Sequence, residues 1–220
     1  AAGLPGAPVR LIVNGIDLER FRPVTPSERR RLRQALGLPE APLLILFVGF
    51  FSQEKGPQRL FDAWARLQAD GLPPSELVFV GATRAGYFEI DPELAPRLRA
   101  RADELEVGGR LHFIEQARDI EQYYRAVDLF VLPSTREAMP RVLLEAMASG
   151  LPCIASRLAG STDVVIEDGV SGRLVQPGDV DECARALQSL LRDVQQREAL
   201  GRQARARVAE GFSIERMAEA

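Results

Sequence analysis

The apolar positions of this chain fall into two rhythms. Residues 43–48, LLILFV, are apolar without interruption. Such a run is expected of a parallel strand covered on both faces, because a strand with one wet face alternates. Shorter strand candidates follow at 77–80, 111–114, 129–132, 153–155 and 172–175. Between them the spacing turns helical. Residues 57–69 place Leu60, Phe61, Trp64 and Leu67 on one face. Residues 27–36 form a short Arg-rich helix ended by Gly37, with Pro39 beyond. Further helices are expected at 94–105, 120–126, 180–191 and 197–209, with a short segment at 161–168 and a new turn opening at Ser213. Asn14–Gly15 is a turn signal, and 49–56 and 81–92 are loops, the second holding Arg84 and Tyr87. No internal repeat is visible.

Strands alternating with helices predict an α/β fold: a doubly wound, parallel, Rossmann-like sheet with helices on both faces. With about six strands the expected order is 3-2-1-4-5-6. In that order the first and fourth strands are neighbours at the switch point, where ligands bind at the strands' carboxyl ends. The loop after the first strand is GFFSQEKG, from Gly49 to Gly56, and the loop after the fourth holds Ser134 to Met139. These two segments should therefore meet.

The second loop opens the least ordinary stretch of the chain, STREAMPRVLLEAMASGLPCIAS at 134–156. Pro140 suits the first position of a helix, where its missing N–H costs nothing. Met139 before it cannot cap the helix as Ser, Thr, Asp or Asn would. The exposed N–H groups are then available to an anion such as a phosphate. Glu145 sits in VLLEAMA, a helix apolar nearly all round, where a carboxylate is costly unless something bonds it. It is either a ligand-binding group or an acid placed for the helix dipole. Ser149–Gly150–Leu151–Pro152 closes the helix. Lys55, beside Gly56, could reach a diphosphate; the alternative is a solvated surface lysine.

Composition narrows the function classes. With 220 residues, 46% apolar and 27% charged, the chain has length enough for one sizeable α/β core. A net charge of −3 argues against general nucleic-acid binding. No membrane-span run and no signal-peptide pattern appear, so no membrane contact is expected from this region. The two cysteines, Cys153 and Cys183, are expected as buried free thiols, which fits a cytoplasmic location. His112, the one histidine, reads as a strand residue, and no cluster has metal-ligand spacing.

The run E-A-M-P-R-V-L-L-E-A-M-A-S-G-L-P at 137–152 resembles the E-x7-E motif of retaining nucleotide-sugar glycosyltransferases with the GT-B fold, closest to the large family 4 group. IVNGIDLERFRP at 12–23 resembles the hinge between the two halves of such enzymes. The resemblance implies the C-terminal half of a GT-B fold: residues 1–23 as a hinge remnant and 24–220 as a nucleotide-sugar-binding domain, with the N-terminal acceptor domain absent. It implies further that Glu137 faces the donor sugar and that Ala138, Met139 and Pro140 line the sugar and phosphate site. Lys55 would bind and stabilise the leaving phosphates, with Gly49, Arg141 and Val142 close to them, and Glu145 would accept the ribose hydroxyls. Family members often carry G-R-x-x-x-x-K-G in the first loop; here Phe50 stands at the arginine position, and Arg141 or Arg136 could supply that charge. Asp163, in SRLAGSTD at 156–163, stands where the resemblance has a more common Glu in a loop near the donor, and reads rather as a simple helix or turn cap. The implied activity is hexosyl transfer from a UDP or GDP sugar, with no cofactor and no metal. The acceptor would bind through the missing half. Alternatives are a sugar-nucleotide epimerase, against which the single His112 argues, and a nucleotide-binding module without activity of its own. A dinucleotide-dependent dehydrogenase is excluded, since no G-x-G-x-x-G follows the first strand.

Overall fold

The computed structural model describes residues 15–68, 71–83 and 89–219. Six parallel strands form one sheet: β1 (Leu43–Val48), β2 (Ser75–Val80), β3 (Leu111–Ile114), β4 (Leu129–Leu132), β5 (Cys153–Ser156) and β6 (Arg173–Val175). Their order is β3-β2-β1-β4-β5-β6, the expected doubly wound order. β1 and β4 are paired with Ile45 opposite Leu129. The chain therefore reverses its direction of growth between these two central strands, and their carboxyl ends leave a crevice there.

Successive strand residues point to opposite faces and feed two cores. Leu44, Leu46, Val78, Phe130, Leu132, Cys153 and Leu174 belong to one. It is covered by α1 (Pro26–Ala35), α4 (Ile120–Ala126), α5 (Arg141–Ala148) and α8 (Val194–Gly211). Ile45, Phe47, Leu77, Phe79, Leu129, Val131 and Ile154 belong to the other, under α2 (Pro57–Ala65), α3 (Leu94–Glu104) and α7 (Val180–Arg192). In this second core Trp64 is fully buried and its indole N–H donates to Ser75 Oγ at 3.0 Å. Two short helices, α6 (Thr162–Val165) and α9 (Ile214–Glu219), complete the set.

Several boundaries differ from the expected ones. α1 starts at Pro26, because the Thr25 hydroxyl caps it by accepting from Glu28 N–H at 3.2 Å. α2 ends at Ala65, not Ala69, which lies outside the described residues. α8 starts at Val194, three residues before Arg197, since Asp193 caps it through Gln196 N–H. Gly108–Arg110 forms an unexpected 3-10 turn before β3. Arg84, Tyr87 and Asn14 also lie outside the described residues.

The entry segment is tied to the domain. Ile16 N–H donates to the Phe212 carbonyl at 2.8 Å. The Arg205 guanidinium, from α8, donates to the carbonyls of Phe21 and Ala148 at 2.6 Å each and of Leu18 at 3.0 Å. One side chain thus joins residues 18–21 to the C-terminal end of α5.

At the amino ends of β1 and β4, Arg33 is buried and fully engaged. It donates to the carbonyls of Ala126, Glu40 and Pro42 and to Asp128 Oδ2 at 2.5 Å. Asp128 accepts also from Leu44 N–H at 2.7 Å and from Arg29 at 3.1 Å.

Candidate functional site

At the opposite, carboxyl end of the sheet lies a cavity of about 430 Å³, bounded by Val48, Gly49, Phe50, Lys55, Val80, Gly81, Ala117, Ile120, Glu137, Met139, Pro140, Arg141 and Val142. It sits at the switch point. The loop after β1 and the loop after β4 are stitched together beside it: Thr135 N–H donates to the Glu54 carbonyl at 2.8 Å. The first loop is shaped by Gly56, whose φ of 72° is left-handed and whose missing Cβ would lie 2.7 Å from the Pro133 carbonyl oxygen. Gly81 closes the floor at φ 148°, where a Cβ would meet the Gly49 carbonyl oxygen at 1.9 Å.

Lys55 Nζ is 2.8 Å from Glu137 Oε1. The Glu137 side chain is only 9% exposed, whereas Lys55 is 29% exposed, so this pair faces the cavity from a largely dry wall. Such a pair is screened less by salt than an exposed one. Lys55 is fixed from behind by its own N–H, which donates to Ser52 Oγ at 3.2 Å.

Pro140 is not the first helical residue but the cap: its φ of −77° and ψ of 92° are extended, and Arg141 begins α5. Proline's fixed φ serves either position, and at the cap its carbonyl accepts from Leu143 and Leu144 N–H at 3.0 and 3.3 Å. No side chain caps this helix, so Arg141 and Val142 N–H have no intrahelical partner and lie at the positive end of the dipole. Both residues line the cavity, and the Arg141 side chain is 67% exposed there.

Glu145 lies one turn deeper and is not among the lining residues; neither is Ala138. Its Oε2 accepts from the Tyr124 hydroxyl at 3.1 Å, and its Oε1 is 3.9 Å from Arg141 Nη2. Burial pushes the Glu145 carboxyl above the ordinary range, opposed by the Tyr124 hydrogen bond and then by Arg141 and Arg20.

Of the residues singled out in the sequence, the structure gathers Gly49, Phe50, Lys55, Glu137, Met139, Pro140, Arg141 and Val142 around one cavity. Arg136 does not join them. It points outward to Glu54 Oε1 at 3.5 Å, both side chains being exposed, and supplies no charge to the cavity. Asp163 is neither a lining residue nor a cap: it is exposed in the first turn of α6, where Thr162 Oγ1 holds the turn by accepting from Leu158 N–H and donating to the Ser156 carbonyl. Val48, Val80, Gly81, Ala117 and Ile120 were not singled out. Val48 follows directly from the switch-point argument, as the carboxyl end of β1; Val80 and Gly81 end the neighbouring strand β2, which that argument did not include. Ala117 and Ile120 carry no sequence signal of their own.

His112 stands in β3 with Nε2 2.6 Å from Glu76 Oε2, far from this chemistry. Both cysteines are buried; burial pushes the Cys183 thiol up to about 12 and Cys153 higher still, so both are protonated and inert. Among the described residues no group of His, Cys, Asp and Glu could hold a metal ion, and no helix is long and apolar enough to cross a membrane.

Known proteins match this chain over most of its length. Residues 28–207 match the family model described as glycosyl transferases group 1. The chain is 36% identical over 208 residues to a sulfoquinovosyl transferase, SQD2, of Arabidopsis thaliana, covering 93% of the chain and 38% of the relative. It is 35% identical over 217 residues to a D-inositol 3-phosphate glycosyltransferase of Corynebacterium jeikeium, covering 96% of the chain and 50% of the relative. The chain thus spans about four-tenths to half of these relatives. Among solved structures, Anabaena Alr3699/HepE in complex with UDP and glucose superposes with a TM-score of 0.84 at 28% identity, over 96% of this chain and 55% of that one. The C-terminal domain of a glycosyl transferase group 1 protein, LpcC of Francisella tularensis, superposes with a TM-score of 0.77 at 26% identity, over 91% of this chain and all (100%) of that one.

Proposed function

The chain belongs to the glycosyl transferases group 1 family, a glycosyltransferase family, and has the Rossmann-like fold of the C-terminal GT-B domain; from that premise we propose that it is the donor-binding half of a retaining enzyme moving a hexosyl unit from a nucleoside-diphosphate sugar to an acceptor. One observation carries the reading: Lys55, Glu137 and the uncapped start of α5 meet in one cavity at the sheet's switch point.

Each group has a task that suits its chemistry. The donor diphosphate lies against Arg141 and Val142 N–H, with Lys55 neutralising the charge that builds as the glycosidic bond breaks. Lys55 and the helix start do this without a metal. Glu137, released from Lys55 by the phosphate, accepts hydroxyls of the sugar and orients it. Glu145 accepts the ribose diol, which relieves its burial. In front-face transfer the leaving phosphate oxygen takes the acceptor's proton, so no second carboxylate acid is called for. The acceptor is held by the part of the enzyme beyond this chain, as the partial coverage of the relatives suggests. Two buried, unpaired thiols fit a reducing cytoplasm.

A thermal-shift titration with UDP, GDP and ADP tests the donor site. One of them is expected to stabilise the chain by about 2.7 kcal/mol at a hundredfold excess over Kd. UDP is the first to try, because HepE was solved with it. Stabilisation by none of the three overturns the reading. In a parallel assay the matching nucleotide sugar and simple acceptors should give no product above background, since unheld acceptors forfeit on the order of 7–11 kcal/mol of positioning. Sustained transfer by this chain alone overturns the half-enzyme assignment.

A further inference from the structure

Glu145, one turn behind the cavity wall, meets a buried phenol. Tyr124, on α4, is fully buried. Its hydroxyl oxygen lies 3.1 Å from Glu145 Oε2 and 3.2 Å from the Val142 carbonyl oxygen. A phenol has one proton and both neighbours are acceptors, so the ionised carboxylate is the stronger claimant. Burial raises the Tyr124 hydroxyl well above its ordinary pKa, which keeps it a donor throughout the working pH range. The apolar surroundings ask only for a ring: Phe21 meets it edge-on at 5.9 Å and Phe130 tilts against it at 5.9 Å. A phenylalanine would fill that space equally. The hydroxyl is therefore present for its polar partners, and both belong to α5.

We propose that Tyr124 is a positioning residue for ribose recognition: its hydroxyl pins Glu145 through Oε2, so that Oε1, the oxygen on the Arg141 side, is presented to the ribose diol of the donor. The inference rests on the donor-site reading above. A free carboxylate on a two-torsion stem has several rotamers, and one held at the back by a hydrogen bond loses less entropy when a ligand arrives. The same bond favours the ionised form, against burial. Four charged or titratable groups act on Glu145: Tyr124 and Glu121 from α4, Arg141 from its own helix and Arg20 from the entry segment. Glu121 acts with burial to favour the neutral acid, and the other three oppose it. Loss of the phenol hydroxyl removes the largest of the opposing influences, so Glu145 takes its proton at a higher pH.

The test is isothermal titration of the 220-residue chain with UDP and with 2′,3′-dideoxy-UDP, from about pH 5 to about pH 8. Tyr124→Phe is expected to weaken UDP about tenfold near neutrality and the dideoxy analogue less than about twofold. The pH at which UDP affinity falls on acidification should move up. In a Glu145→Gln background the same substitution should cost little more, because the coupling runs through that carboxylate. Equal losses for both probes, or an unmoved pH profile, would assign Tyr124 to packing alone and overturn the inference. If Glu145→Ala abolishes the preference for UDP over its dideoxy analogue while Tyr124→Phe preserves it, the inference fails and the donor site stands. If the unaltered chain does not distinguish the two probes, the ribose role of Glu145 falls and the inference with it.

Discussion

The two ends of the sheet treat charge in opposite ways. At the amino ends of β1 and β4, Arg33 is buried and Asp128 largely so, and their hydrogen bonds go to the protein itself: three carbonyls, one backbone N–H, a second arginine and each other. At the carboxyl ends, Lys55 has Glu137 and its remaining donors face a cavity; Glu145 has one hydroxyl and a distant guanidinium. Burial is similar, with Asp128 and Glu145 side chains each 12% exposed. The difference lies in satisfaction. A buried charge with a complete set of partners fixes the chain, whereas one with an incomplete set is ready for a ligand to complete it.

This contrast can be broken, and the largest effect is expected at the satisfied end. Asp128→Ala strands Arg33 without its anion and should cost about 3–5 kcal/mol of stability in a denaturant melt, with nucleotide affinity of the folded fraction unchanged. A cost below about 1 kcal/mol would show the two ends to be alike. At the carboxyl end, Lys55→Ala and Glu145→Ala should each weaken UDP binding at least about tenfold, or about 1.4 kcal/mol, while the melting temperature barely falls. Losses well under tenfold in both, with the fold intact, would remove the functional half of the contrast.

Smaller effects sharpen it. Phe50→Arg adds a cation to the cavity wall and should tighten UDP by a few-fold, roughly under 1 kcal/mol, with steeper salt dependence. No change at low salt would mean that Arg141 already fills that role. Smallest is the stability change in Glu145→Gln. Burial raises the Glu145 carboxyl in the folded chain, so the folded state takes up this proton at a higher pH than the unfolded one. Ionisation thus costs stability above the folded value, and the cost vanishes as pH falls toward the unfolded value of about 4.3. Glu145→Gln should melt higher than the parent near neutrality, with the advantage shrinking on acidification; an advantage that grows on acidification contradicts the assignment.

What the sequence made legible followed from local pattern. LLILFV announced a central strand because both its faces are covered, and the strand order then brought the loops of Gly49 and Glu137 together. Non-local contacts were hidden. Arg33 lay in an Arg-rich helix, and nothing in that run marked the one arginine that β4 would bury. Arg136 and Arg141 were equal candidates until the loop geometry turned one outward to Glu54. Pro140 fits the cap or the first turn by the same fixed φ, so only the chain path decides. Tyr124 gave no sign at all, since its meaning depends on an α5 residue 21 positions away.

Trp64 gives the molecule a built-in optical reporter. It is the single tryptophan of the chain, fully buried near the far end of α2 and fixed by Ser75. It belongs to the core on the face of the sheet away from Tyr124 and α5. Its emission is therefore that of one ring in one dry setting, blue in the native state and red once α2 leaves the sheet. The cavity-wall residues Val48, Val80, Ala117, Ile120, Met139 and Val142 belong to the other core. Fluorescence excited at the indole band thus counts folded molecules, and a nucleotide reaches it through the shift in unfolding midpoint that binding produces, so affinity is read as stability from a ring outside the cavity.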